Sequence, residues 1–203
     1  MPSSRSSTPA DRPRQPGRRA FVAAGLASAV PLLHAADAEV EALLRTGGVV
    51  IAFRHALAPG TFDPPGFRLG DCGTQRNLSD EGRAQAGRIG AWFRSRQLVP
   101  QRVRTSPWCR CVDTANLAFG GAEAWPALGS PRGATETTNA ASIDALRRAV
   151  ADAATRRGRF EVWVTHMFVL SDLTREGSSS GEGLVLRAGR DGRVEVAARL
   201  AVA

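Results

Sequence analysis

The sequence contains no lysine and no tyrosine, and all 27 of its basic residues are arginine. Nucleic-acid-binding surfaces usually mix both basic residue types and cluster them. Here arginine is scattered among abundant alanine and glycine, so a nucleic-acid groove is disfavoured and no such partner is expected. Cysteines number three, an odd count that leaves one over if two pair. Histidines also number three, and no His/Asp cluster follows His166 to suggest a metal site. The uncharged apolar run Phe21 to Ala35 is too short to span a bilayer comfortably. What remains is a chain of 203 residues, long enough for one well-buried domain and short for two.

The formal net charge is +8. Setting aside the five arginines and two aspartates of residues 1–38 lowers it to +5. That modest excess suits anionic small molecules. Residues 2–17 are rich in Ser, Pro and Arg and lack apolar periodicity, a composition that favours disorder. Arg18-Arg19 then stands directly before the apolar run, and Ala36-Asp37-Ala38 has the small-x-small pattern of a signal-peptidase site. The paired arginine resembles a twin-arginine export signal. The expected organisation is a cleaved export signal over 1–38 and a folded domain over 39–203. Its expected location is periplasmic or secreted, with no stable membrane insertion after cleavage.

Val49-Val50-Ile51-Ala52-Phe53 and Phe160 to Thr165 are short apolar runs that read as strands buried on both faces. Ala86, Ile89, Gly90 and Phe93 give residues 80–97 one helical face, with Ser79 as N-cap and Asp80 and Glu81 in the first turn. Ser106-Pro107 reads as the cap and first residue of another helix, and a third covers roughly Ser142 to Arg156. Leu184 to Arg187 and Val194 to Arg199 read as closing strands around a Gly-containing turn. Strands alternating with helices predict an α/β domain, a three-layer α/β/α sandwich on a mostly parallel sheet. Ala56 to Asn77 lacks periodicity and reads as a functional loop over the site.

Two histidines fall where such a sheet binds ligands. Arg54-His55 follows the first strand and His166 follows the strand Phe160 to Thr165, both at carboxyl ends. An arginine at the end of a buried strand calls for an anion. Arg110, in Ser106-Pro107-Trp108-Cys109-Arg110, sits at a helix start whose free N–H groups also suit an anion.

Together, Phe53-Arg54-His55-Ala56, the stretch Asn77 to Ala86, Ser106 to Arg110 and Val164-Thr165-His166 resemble the histidine phosphatase superfamily, of phosphoglycerate-mutase-like fold. The resemblance runs from about Val49 onward, in the family's order and spacing, with Ala56 replacing the commoner glycine. It implies that His55 is a nucleophile forming a phosphohistidine. Arg54, Arg110 and His166 would surround the phosphoryl oxygens, and Arg76 would be a further substrate contact. The reaction implied is metal-free and cofactor-free hydrolysis of a small phosphorylated substrate. The rival readings are a phosphomutase and a non-catalytic phosphate-binding module of the same fold.

The general acid is not set by a motif, because Met167 stands after His166 where many relatives have Asp. Glu182, in Ser180-Gly181-Glu182-Gly183, is the preferred choice, and Glu136 the alternative. Cys72 lies in the long loop while Cys109 and Cys111 flank Arg110. A bridge from loop to helix would order the pocket, and three unpaired buried cysteines are the alternative.

Overall fold

The computed structural model describes residues 29–130 and 140–202. Most of the expected export segment and Glu136 lie outside the described residues. The chain enters the sheet through Gly47 and Gly48, both at positive φ. A Cβ on Gly47 would collide with the backbone of Gly158 and Arg159, so this close approach requires glycine. Strand β1, Val49–Arg54, follows, and its first five residues are buried. The other strands are β2 (Arg102–Thr105), β3 (Glu123–Ala124), β4 (Phe160–Thr165), β5 (Gly183–Ala188) and β6 (Val194–Leu200). They form one sheet in the order β3-β2-β4-β1-β5-β6. Its β3, β2, β4 and β1 run parallel, while β5 is antiparallel to both neighbours. The sheet is therefore mixed, with four parallel strands on one side and the antiparallel β5–β6 hairpin at the other edge.

Alternation along β1 sorts the two apolar layers. Val49, Ile51 and Phe53 face one way, against Val40 and Leu44 of α1 (Ala29–Thr46), Ile89 and Phe93 of α2 (Asp80–Ser95) and Ala115 of α3 (Cys109–Phe119). Val50 and Ala52 face the other, against Leu146 and Val150 of α4 (Ala140–Ala154) and Val169 and Leu170 of α5 (Met167–Thr174). Three helices on one face and two on the other complete the expected α/β/α sandwich. Complete burial of each such side chain contributes about 1.5–3 kcal/mol.

Several local expectations hold and others shift. Ser79 caps α2, its hydroxyl accepting from Gly82 N. Ser106-Pro107 does not open α3, which starts at Cys109 with Trp108 at the cap position. The Ser106 hydroxyl instead accepts from Trp108 N–H at 3.3 Å, just ahead of the helix, and from His166 (below). Helix α1 passes without a break through Ala36-Asp37-Ala38. There the Asp37 carboxylate accepts from Trp92 Nε1 at 3.1 Å and pairs with Arg96 at 3.3 Å. No helix among the described residues is long and apolar enough to cross a membrane.

Candidate active site

Parallel strands β1 and β4 end side by side, Arg54 opposite Thr165. The next residues are therefore neighbours, and the backbone N–H of His55 donates to Thr165 O at 2.9 Å. The His55 and His166 rings lie edge to face with centroids 5.6 Å apart, and both residues are buried. Strand β2 ends in the same place and delivers Ser106, whose N–H donates to Val164 O. Helix α3 then starts, with Arg110 as its second residue. The topology thus collects His55, His166 and Arg110 from three separate stretches of sequence.

Hydrogen bonding fixes the imidazole tautomers. Nδ1 of His55 lies 2.8 Å from Ala56 O. A carbonyl only accepts, so Nδ1 carries the proton and Nε2 keeps its lone pair. Nδ1 of His166 lies 3.3 Å from Nη2 of Arg110, which only donates. His166 therefore accepts at Nδ1, and its Nε2–H donates to Ser106 Oγ at 2.8 Å. The Cys111 thiol packs against the same ring, with Sγ 3.6 Å from Nε2.

Both rings are held neutral. Burial, then the charge of Arg110, lowers the His55 pKa from 6.5 to about 3, the Ala56 carbonyl opposing and Arg76 and Arg54 adding to the effect. Burial and then Arg110 also push His166 well below its ordinary value, with His55, Arg76 and Arg54 contributing. Three arginines thus act on both imidazoles. This keeps His55 Nε2 unprotonated, as a nucleophile needs, and creates a positive field suited to an anion.

The arginines are positioned by the loop and by backbone carbonyls. Arg54 donates to Ser178 O at 2.9 Å. Arg76 donates through Nη1 to Ala58 O at 2.6 Å. The fully buried Arg110 side chain donates through Nη1 to both carboxylate oxygens of Asp63, at 2.9 and 3.1 Å. Asp63 also accepts from Trp108 Nε1 at 3.1 Å and from the Arg76 backbone N–H at 2.9 Å. Sequence reasoning missed Asp63, because a single aspartate in an aperiodic loop carries no signal until Arg110, 47 residues away, is placed beside it.

The loop itself is tied to α3. Cys72 and Cys109 form a disulfide, leaving Cys111 free and buried. Of the open alternatives for the cysteines, the loop-to-helix bridge is the one formed. Gln75 accepts from Cys109 N–H at 3.0 Å, satisfying a donor at the start of α3. Thr114, also missed, accepts from Ala56 N–H and donates to Arg110 O, joining the His55 segment to the same helix.

Glu182 is placed differently from its expected role. Its carboxylate accepts from Arg199 Nη1 at 2.9 Å and from Ser179 N–H at 2.7 Å. Only its backbone serves the site directly, Glu182 O accepting from Arg54 N–H. The expectation that Glu182 supplies the acid finds no support in this geometry, because the β6 arginine engages its carboxylate.

No family model matches the chain, and no curated protein matches it in sequence. Solved structures do match it in fold. A candidate α-ribazole-5′-P phosphatase from Escherichia coli superposes with a TM-score of 0.54 at 11% identity, covering 76% of this chain and 97% of its own. Phosphoserine phosphatase from Entamoeba histolytica, in a histidine-to-alanine variant bound to phosphoserine, gives 0.51 at 11%, covering 74% and 95%. The protein histidine phosphatase SixA in complex with tungstate gives 0.50 at 15%, covering 75% and 96%. The chain has the phosphoglycerate-mutase-like fold of the histidine phosphatases.

Proposed function

We propose that this protein is a phosphatase that hydrolyses phosphomonoesters through a phosphohistidine on His55. The observation that carries the reading is the His55 ring, with Nδ1 bonded to Ala56 O and its unprotonated Nε2 in the field of three arginines. A phosphoryl dianion entering that field lets Nε2 attack phosphorus, while Arg54, Arg110 and His166 hold the oxygens over which charge spreads. The dianion also favours protonation of His166, converting Nδ1 from acceptor to donor. Arg76 is a further contact for the substrate. The solved structures with phosphoserine and tungstate are of proteins that share this fold, and they support a small phosphorylated substrate.

The deciding experiment is His55→Ala in the purified protein. Turnover of p-nitrophenyl phosphate should vanish while circular dichroism shows an unchanged fold, and the wild-type rate should persist in EDTA. Retained activity in the variant would overturn the mechanism. A phosphohistidine that forms in the wild type and never hydrolyses would instead favour the non-catalytic phosphate-binding module.

The reading includes export through Arg18-Arg19, which the Cys72–Cys109 disulfide supports, since such bonds persist in oxidising compartments. Replacing both arginines by lysine should leave precursor in the cytoplasm. Normal export and processing of that variant would rule out the twin-arginine route.

A further inference from the structure

The loop between His55 and α2 is anchored on both sides. Leu57 is fixed to α2 and its cap, its N–H donating to Gln85 Oε1 at 3.0 Å and its carbonyl accepting from Ser79 N–H at 3.1 Å. From Arg68 onward the chain is held by Thr74, Gln75 and the Cys72–Cys109 bridge. Between these anchors, two arginines hold residues 58–66 over the site. Ala58 O accepts from Arg76 Nη1 at 2.6 Å, and the Asp63 carboxylate accepts from Arg110 Nη1 at 2.9 and 3.1 Å. Arg76 and Arg110 are both residues that the phosphatase reading gives to the substrate. We propose that Asp63 is an internal competitor of the substrate and residues 58–66 a lid, a phosphoryl group entering by displacing the carboxylate from Arg110; the inference rests on the phosphatase reading above.

Burial requires such an exchange. Arg110, His55 and His166 are all buried, so a phosphoryl group reaches them only once a covering group moves. Asp63 covers Arg110 with the kind of charged oxygen that a phosphoryl group would itself present, and the Nη1 hydrogens cannot serve both. Until substrate arrives, the carboxylate offsets the buried charge of Arg110. A phosphoryl dianion brings more charge and also meets Arg54 and Arg76, which favours it in the exchange. Its contact with Arg76 weakens the bond to Ala58 O, so the two ties of the lid loosen together. Phe62, Pro64 and Pro65 are exposed, and lifting them costs little apolar burial. The disulfide meanwhile keeps Gln75 and Arg76 against α3, confining the movement to the segment that carries Asp63.

Asp63→Asn reads the competition directly, because it removes the charge and keeps an acceptor for Trp108 Nε1–H and the Arg76 N–H. Loss of a competitor strengthens anion binding, whereas loss of a residue that only positions Arg110 weakens it. The Kd of tungstate, a tetrahedral dianion, should fall about tenfold in calorimetry of the purified variant, the factor expected where the lid is closed in about nine molecules of ten. An unchanged or higher Kd would overturn the proposal, and wild-type turnover of p-nitrophenyl phosphate would leave the phosphatase reading intact. Wild-type protein that binds no tungstate and turns over no ester would overturn both.

The wild type distinguishes a displaced carboxylate from one that only repels, and it decides should the variant fail to fold. Saturating tungstate should free the Arg76 amide and the Trp108 indole N–H from Asp63. Exchange of both protons with solvent, followed by NMR, should quicken. Unchanged or slower exchange at either would show Asp63 still seated on its partners and would overturn the lid.

Discussion

Ser106 Oγ sits 2.8 Å from Nε2 of His166, so the hydroxyl that the sequence pattern assigns to a helix cap serves the second imidazole. The two residues are 60 positions apart, and both are fully buried. Because Arg110 occupies Nδ1, the Nε2 proton of His166 goes to Ser106, its closer acceptor. Ser106→Ala leaves that proton only the weak acceptor Cys111 Sγ, 3.6 Å away, and removes the acceptor of Trp108 N–H, at a cost of about 1–3 kcal/mol. The expected outcome is a lower melting temperature together with reduced kcat/KM, checked by thermal denaturation and initial rates. An unchanged melting temperature would show that the bond contributes nothing.

Acid should destabilise the fold through the histidines. An unfolded His titrates near 6.5, whereas burial and Arg110 keep folded His55 neutral down to about 3 and lower His166 as well. Between those values the unfolded chain binds protons that the folded one refuses. Stability must then fall as pH falls through that window, by up to about 1.4 kcal/mol per pH unit for each histidine. Urea midpoints measured at pH 7 and pH 5 should drop in the wild type and drop less in His55→Gln. Equal drops would show that His55 is not buried in its neutral form.

Breaking the Cys72–Cys109 bond should loosen the loop more than the sheet. The bond joins residues 37 positions apart, a constraint worth about 3–4 kcal/mol in the chain-entropy model. It also holds Asp63, Gln75 and Arg76 against the start of α3. Cys72→Ser should therefore lower stability, raise KM for phosphate esters and make the 56–77 loop the first site of proteolysis. A variant with wild-type KM would show that the loop orders itself without the bond.

The legible parts of this protein are those that sequence periodicity encodes. β1 and β4 are mostly apolar because both of their faces are covered, and His55 and His166 follow them directly. The β5–β6 hairpin and α2 carry equally local signals, a glycine turn and a serine cap. Strand β2 escapes notice because Arg102 and Arg104 interrupt it. Arg104 is nonetheless largely buried, stacked over Trp125 and close to Glu161. Asp63, Thr114 and the true partner of Ser106 are likewise invisible, since each acquires its role from a contact dozens of residues away.

Glu182 offers the contrast that tests the division of labour among the carboxylates. Its side chain ties Arg199 to the 177–182 segment, and Arg199 also holds Glu176 at 2.6 Å and Gly177 O at 3.1 Å. That segment presents Ser178 O to Arg54, and Gly181 N–H bonds the carbonyls of Arg54 and His55. Glu182→Gln removes the charge but keeps a hydrogen-bonding oxygen for Ser179 N–H. The cost to stability should be about 1 kcal/mol or less, because Arg199 is partly exposed and its pairs are screened by water. Catalysis should suffer a few-fold at most, and by the same factor on β-glycerophosphate and p-nitrophenyl phosphate, because only the placement of Arg54 is disturbed. A selective loss on the alkyl ester would show that Glu182 supplies the acid.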